Sequence, residues 1–316
     1  MTQEALLEVL EANGLLQQKS CGALRLELLT GGFWNRVYRL RSQENSSFDW
    51  VVKQFVQVPV NPLFPILPSA ESAALQFLQD HKCAPKPVAF IAESAVGSLL
   101  VYEYVPGSSW NGDLDAAATL LARVQRIPLN AFAKQAFRKL PTEANALQQH
   151  AQAMLLRHPG ALSDSVRQLR PAIRSSSAFV FLREVLVHTD CGPGNMVSSP
   201  AGLRLIDWQC PGVGDGLQDV ATFLSPAMQV LYGYPILSTA QEQKFLSAYL
   251  SALSENPSDS QETLARFNSI RSSHHYRFAA YCAMRMQDTA STDEKTSRLY
   301  SLALHAEIQL LHRMSS

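Results

Sequence analysis

The sequence has no excess charge: 27 Lys and Arg balance 27 Asp and Glu over 316 residues. No global field therefore exists to draw the chain to nucleic acid or to an anionic membrane. Any charged partner has to be recognised locally. Cysteine is scarce: Cys21, Cys83, Cys191, Cys210 and Cys282 are odd in number and scattered, with no C-x-x-C pair. That argues against a disulfide framework or a zinc site, and for reduced thiols in a cytosol. No apolar run approaches the ~20 residues needed to cross a bilayer. The N-terminus has acids where a secretory leader would have Lys or Arg, and its periodic apolar residues predict an amphipathic helix stopped near Gly14. Internal repeats, coiled-coil heptads and low-complexity tracts are also missing. A soluble, cytoplasmic protein with neither nucleic acid nor membrane as partner is expected; nothing sets its oligomeric state.

What is present is a hydrophobic content of 47%, enough for one large core or two smaller ones. Alternating apolar residues predict strands at Val37–Leu40 and Trp50–Phe55, then at 87–92 and 98–104. Between them Ser69 can cap a helix running through Glu71, Leu75 and Leu78. After the linker-like Pro106-Gly107-Ser108-Ser109-Trp110-Asn111-Gly112 the pattern turns helical, over 113–126, 131–157, 164–174, 240–253, 260–287 and 292–313. A β-rich island interrupts it at 185–198 and 203–208. The expected fold is α+β in two lobes, a small β-rich one (1–105) and a larger, mainly helical one (106–316).

The island is the most informative stretch. Val185-Leu186-Val187-His188-Thr189-Asp190 and Leu203-Arg204-Leu205-Ile206-Asp207-Trp208 each deliver an acid at a strand end, and Asn195 follows Asp190 by five residues. Phosphoryl transfer needs such a set: a carboxylate to orient the attacking hydroxyl and accept its proton, and hard oxygen ligands for Mg²⁺. Asp190 suits the first role; Asn195 and Asp207 suit the second. Isolated Asp and Asn residues are more often loop caps and turn residues, but that reading gives no reason for paired acids at two strand ends. His188 has no evident proton chemistry and reads as a support of the loop.

In H-T-D-C-G-P-G-N followed by L-I-D-W, the chain resembles the aminoglycoside phosphotransferase and choline kinase superfamily, relatives of protein kinases with the signature H-x-D-x-x-x-x-N and I-D-W or I-D-F. The resemblance extends from about residue 24 to about 225 and implies a protein-kinase-like fold using ATP and Mg²⁺ to phosphorylate a hydroxyl of a small molecule. It implies that Gly31 and Gly32 open a hairpin over the phosphates, with Trp34 where the family often has a small hydroxyl residue. Lys53 would pair with the phosphates and be held by Glu71, since a lysine on a buried strand needs an acid to stay charged. The Glu103 carbonyl and Val105 amide would meet adenine. Gly214-Asp215-Gly216-Leu217-Gln218-Asp219 resembles G-D-P-x-x-D, with Asp219 accepting backbone N–H bonds from the catalytic loop, Asp215 capping the helix that carries Asp219, and Gly216 where proline is usual. Gln125 replaces the histidine of L-A-x-L-H-x-I-P and inherits no role.

Three other readings are less economical. A protein kinase would have an arginine where Thr189 stands and an A-P-E after Asp219; neither is present, and the twelve positions from Asp207 to Asp219 leave no room for a regulated activation segment. An inactive nucleotide-binding module would be expected to have lost Lys53, Asp190 or Asp207. An aminoglycoside kinase needs an acid-lined site, yet from Gly112 onward 19 Lys and Arg face 17 Asp and Glu. For the acceptor the sequence offers one candidate stripe. Arg277, Tyr281 and Arg285 fall at i, i+4 and i+8 on a helix, and two guanidinium groups beside a phenol suit a carboxylate, a phosphate or sugar hydroxyls. The same stripe also reads as a helix face linked to acids elsewhere.

Overall fold

The computed structural model describes residues 3–16, 23–29, 35–45, 48–55, 61–172, 184–254, 256–290 and 293–315. The fold is α+β, with a β-sheet region toward the N-terminus and a mainly helical remainder. The chain divides into two compact units, residues 1–108 with 199–211, and residues 109–198 with 212–316.

In the first unit, α1 (Gln3–Ala12) ends where Gly14 takes a φ of 74°, a left-handed cap that glycine adopts without strain. The sheet runs β1 (Leu24–Leu28), β2 (Arg36–Ser42), β3 (Asp49–Phe55), β5 (Ser98–Glu103), β4 (Pro87–Ile91), each pair antiparallel. Leu6 and Leu10 of α1 pack on Leu40, Val52, Leu99 and Val101 of the sheet. Apolar periodicity in the first helix thus closes one face of the sheet. The helix α2 (Pro68–Leu78) follows β3. Ser69 does not cap it: Pro68 takes the first helical position, where its fixed φ and missing N–H cost nothing.

The second unit is built from α3 (Leu114–Gln125), α4 (Ala131–Ala136), α5 (Ala144–Leu155), α6 (Ala161–Gln168), α7 (Leu217–Phe223), α8 (Pro226–Leu231), α9 (Thr239–Leu253), the 33-residue α10 (Pro257–Thr289) and α11 (Glu294–Ser315). The single helix expected over 131–157 is two, because Pro141 cannot continue a helix. The segment ahead of it forms β6 (Arg138–Lys139), which lies beside β8 (Gly212–Gly214), itself paired with β7 (Val185–Val187). Helix 164–174 is displaced toward its N-terminal side, starting at Ala161 and ending before Pro171. Asp113 caps α3 through the Ala116 amide, and Ser238 with Gln241 forms a capping box on α9. Phe223 stacks on Phe245, which stacks on Tyr249, and Trp110 meets Phe223 edge-on. Among the described residues no helix is long and apolar enough to cross a membrane, and Cys83, Cys191, Cys210 and Cys282 are buried and in no disulfide.

One buried carboxylate ties three helices of this unit. Glu307 on α11 is inaccessible; it accepts from His275 Nδ1 of α10 at 2.9 Å, from the Ala227 amide of α8 at 3.3 Å and from the Ser225 hydroxyl. Replacing Glu307 by Ala would strand all three donors, at a cost on the order of 3 kcal/mol. Urea denaturation followed by circular dichroism should show this as a lower midpoint; a loss below about 1 kcal/mol would mean that the donors find other partners.

Candidate active site

Within the first unit the structure gathers Lys53, Glu71 and Asp207. Lys53 alternates into the buried face of β3, and Glu71 sits in the first turn of α2. Asp207 is brought to them by the 199–211 segment, which is pinned on both sides. The Leu205 amide donates to the Cys83 carbonyl at 2.9 Å, and the Leu67 amide donates to the Gln209 carbonyl at 2.9 Å. Lys53 Nζ donates to both Glu71 oxygens, at 2.8 and 2.7 Å, and to Asp207 Oδ1 at 2.5 Å. Lys53 and Glu71 are 2% and 1% exposed. Burial on its own would depress the lysine, but Asp207 and Glu71 together hold it above its ordinary value, so it stays charged. Burial pushes the Glu71 carboxyl up to about 7, Lys53 opposing and Asp207 adding to it.

Asp207 differs from Glu71. Its side chain is 38% exposed, its φ is 60°, and its second oxygen accepts no hydrogen bond among the described residues. Asp tolerates that left-handed backbone better than most residues, and a half-open carboxylate with one free oxygen fits a hard cation. Gly31 and Gly32, like Trp34, lie outside the described residues. Glu103 ends β5, exposed, with Lys86 at 3.5 Å; Val105 is buried two residues on.

Within the second unit, β7 leads straight into the loop that carries Asp190. Thr189 has a φ of 72°, a strained conformation for a β-branched residue. Asp219 on α7 holds it there, its two oxygens accepting the His188 amide at 2.9 Å and the Thr189 amide at 2.8 Å. Burial pushes Asp219 up to about 6, partly offset by those two amides and by the Cys191 thiol. The Asp190 amide donates to Nδ1 of the inaccessible His188 at 3.3 Å. Asn195 closes a one-turn 3₁₀ helix, and its Nδ2 donates to the Asp190 carbonyl and to the Tyr232 hydroxyl, both at 2.8 Å. With both amide hydrogens used, the Asn195 Oδ1 is left as an oxygen donor, which again fits a hard cation. Asp215 stands just ahead of α7: Oδ1 accepts the Leu217 amide at 3.0 Å and Oδ2 pairs with the buried Arg266 at 3.1 Å.

Arg266 and Tyr232 escape a reading of the sequence. Arg266 also reaches Glu143 and the Thr142 carbonyl. Gln125 is buried, donating to the Gly216 carbonyl and accepting from Tyr249. The three stripe residues on α10 part company. Arg285 pairs with Asp288 at 3.0 Å and lies over the Tyr300 ring, whose hydroxyl is 3.5 Å from that of Tyr281. Arg277 is 1% exposed, its Nε has no hydrogen-bond partner among the described residues, and its Nη2 lies 3.4 Å from His274 Nδ1. Burial, and secondarily the charge of Arg138, pushes it down to about 9.

A test of the first cluster needs no knowledge of the reaction. Lys53→Met would leave two acids facing each other without a cation, a loss of about 3–5 kcal/mol. Adding Glu71→Gln should recover part of it. If the double variant loses the sum of the two single losses in urea denaturation, the residues are not energetically coupled.

A model of the phosphotransferase enzyme family matches residues 25–258. Among solved structures, the chain is similar to an ethanolamine kinase of Plasmodium vivax, with 12% identity, a TM-score of 0.66 and coverage of 96% of this chain and 87% of that one. It is similar to the choline kinase LicA of Streptococcus pneumoniae, with 18% identity, a TM-score of 0.61 and coverage of 96% and 97%. A spectinomycin phosphotransferase, solved with ADP and spectinomycin, gives 14% identity, a TM-score of 0.62 and coverage of 100% and 99%. No curated protein matches the sequence. With three quarters of its length matched by the family model and this fold, the chain belongs to the phosphotransferase enzyme family, the superfamily of aminoglycoside phosphotransferases and choline kinases.

Proposed function

We propose that the chain is a small-molecule kinase that moves the γ-phosphate of ATP to a hydroxyl, with Mg²⁺ as cofactor. The observation that carries this reading is the bonding of buried Lys53 to Glu71 and Asp207 at once. Kinase chemistry requires a lysine so held, together with a nearby metal-binding aspartate. Nucleotides in two structural neighbours, ADP with the spectinomycin phosphotransferase and AMP with LicA, support nucleotide use. Among the described residues no three His, Cys, Asp or Glu side chains cluster to form a metal site. Mg²⁺ needs no such cage, since it binds through one or two protein oxygens and the phosphates. Asp207 and Asn195 each offer such an oxygen. Bound Mg²⁺ would neutralise charge on the phosphate oxygens as the bond to the leaving group breaks.

In this mechanism Lys53 binds phosphate oxygens, and Glu71 keeps it extended and charged. The glycines at 31 and 32 let backbone approach the phosphates, and the Glu103 carbonyl and Val105 amide hold adenine. Asp190 accepts a hydrogen bond from the acceptor hydroxyl and takes its proton as that oxygen bonds to the γ-phosphorus and ADP leaves. His188, Asp215 and Asp219 keep the loop and the helix behind it in place. Asp190→Asn should lower kcat by on the order of 10²- to 10⁴-fold and leave ATP affinity near wild type, because the positioning and proton-accepting carboxylate alone is lost. An ATP-consumption screen over amino alcohols, amino sugars, sugar acids and nucleosides supplies the acceptor for that assay. Wild-type kcat in Asp190→Asn would sink the assignment.

For the acceptor, the burial of Arg277 with no carboxylate partner among the described residues favours a neutral or anionic molecule. Of the stripe on α10, Arg277 is then the main contact, since Arg285 and Tyr281 are engaged with Asp288 and Tyr300. Arg277→Ala should raise the acceptor KM and leave the ATP KM alone. An enzyme that prefers polycationic amino sugars, or an unchanged acceptor KM, removes the stripe from the reaction.

A further inference from the structure

We infer that Tyr232, just beyond the end of α8, is a positioning residue for the Asp190 carboxylate; this rests on the reading of Asp190 as proton acceptor. The Tyr232 hydroxyl lies 2.7 Å from Asp190 Oδ1 and 2.8 Å from Asn195 Nδ2. An amide nitrogen can only donate, so the hydroxyl accepts from Asn195 and its single hydrogen points at Asp190. A chain of one polarity results: Asn195 donates to Tyr232, and Tyr232 donates to Asp190. A bond to a carboxylate is the strong kind, and it fixes which oxygen is occupied. Oδ1 is taken by the phenol, which sets the plane in which the carboxylate meets the acceptor hydroxyl. The same bond uses the second hydrogen of the Asn195 amide, whose first goes to the Asp190 carbonyl at 2.8 Å.

A second observation is independent of those hydrogen bonds. The Tyr232 ring lies across the catalytic loop. A Cβ built on Gly192 would overlap one edge of the ring, and a Cβ on Gly194 would overlap the other. Neither glycine has the positive φ that would by itself call for glycine. The loop is bare at two alternate positions, and the ring fills the space they leave. Tyr232 is half-buried there, held from behind by the bonds from its own amide to the Met228 carbonyl and from the Tyr234 amide to the Gln229 carbonyl.

Held this way, Tyr232 acts on the reaction through Asp190 and leaves nucleotide binding alone. Tyr232→Phe keeps the ring between the two glycines and removes only the hydroxyl. It should fold with a melting temperature near wild type, lower kcat about ten-fold and leave the KM for ATP unchanged, because orientation of the reacting groups is the quantity lost. A second readout is independent of turnover. The side-chain amide resonances of Asn195, assigned by their loss in Asn195→Ala, should shift and exchange faster with solvent in Tyr232→Phe. Wild-type kcat together with unmoved Asn195 resonances overturns the inference. So does a rise in kcat/KM for the acceptor, which would mean that the phenol occupies the acceptor's own place. Asp190→Asn is assayed beside it. If that variant is dead and Tyr232→Phe is normal, the tyrosine inference fails and the kinase reading stands; if Asp190→Asn is fully active, both fall.

Discussion

Two backbone amides bonded to one carboxylate hold the loop that carries Asp190 in a shape it would not keep alone. Thr189 sits at a φ of 72°, and a β-branched residue there costs on the order of 1–3 kcal/mol. Asp219 accepts the amides of the two consecutive peptides that flank the His188 Cα, and hydrogen bonds to a charged group are worth about 1.5–3 kcal/mol each. The two magnitudes are comparable, so the strain is held in balance with the bonds that enforce it. A lysine or arginine in place of the amides would neutralise Asp219 just as well but would not fix a peptide plane. Everything downstream, the aim of Asp190 and the turn that delivers Asn195, follows from that plane.

One buried cation in each unit is handled in the opposite way to the other. In the first, Lys53 meets two acids, and its ammonium donates all three of its hydrogens to their oxygens. That is the condition under which a desolvated cation stays charged. In the second, Arg277 is equally buried but, among the described residues, meets a histidine nitrogen at 3.4 Å and the Phe278 ring and no acid. A buried guanidinium without an acid is unusual in a structural core, and departures from local rules concentrate at functional positions.

Much of the fold could be read in advance because its signals are local. Alternation over Trp50–Phe55, the amphipathic first helix stopped at Gly14 and the helical character after residue 113 all depend on neighbours in sequence. The errors are local too: Pro141 splits one expected helix, and Pro68 starts another where Ser69 had been expected to cap it. At the candidate site the meeting of Lys53 with Glu71 is legible, since a lysine on a buried strand needs an acid and the next helix offers one. Asp207 is 154 residues from Lys53, and only the motif around it suggests a shared chemistry. Arg266 and Tyr232 carry no periodic or motif signal at all. Their partners, Asp215 and Asp190, lie 51 and 42 residues away, and tertiary packing alone brings them together.

The glycines of the loop show where a signal was available. In Asp190-Cys191-Gly192-Pro193-Gly194-Asn195 two glycines flank a proline, a pattern that reads as turn chemistry. Their backbone does not require glycine for conformational reasons; what requires it is the space an aromatic ring takes up on both sides of Pro193. A glycine can mean freedom of φ or absence of a side chain, and sequence alone does not separate the two. In this loop the second meaning holds. It couples the acid–amide pair to a residue far along the chain, so that a substitution at Gly192 or Gly194 would reach Asp190 through a displaced ring without touching the carboxylate itself.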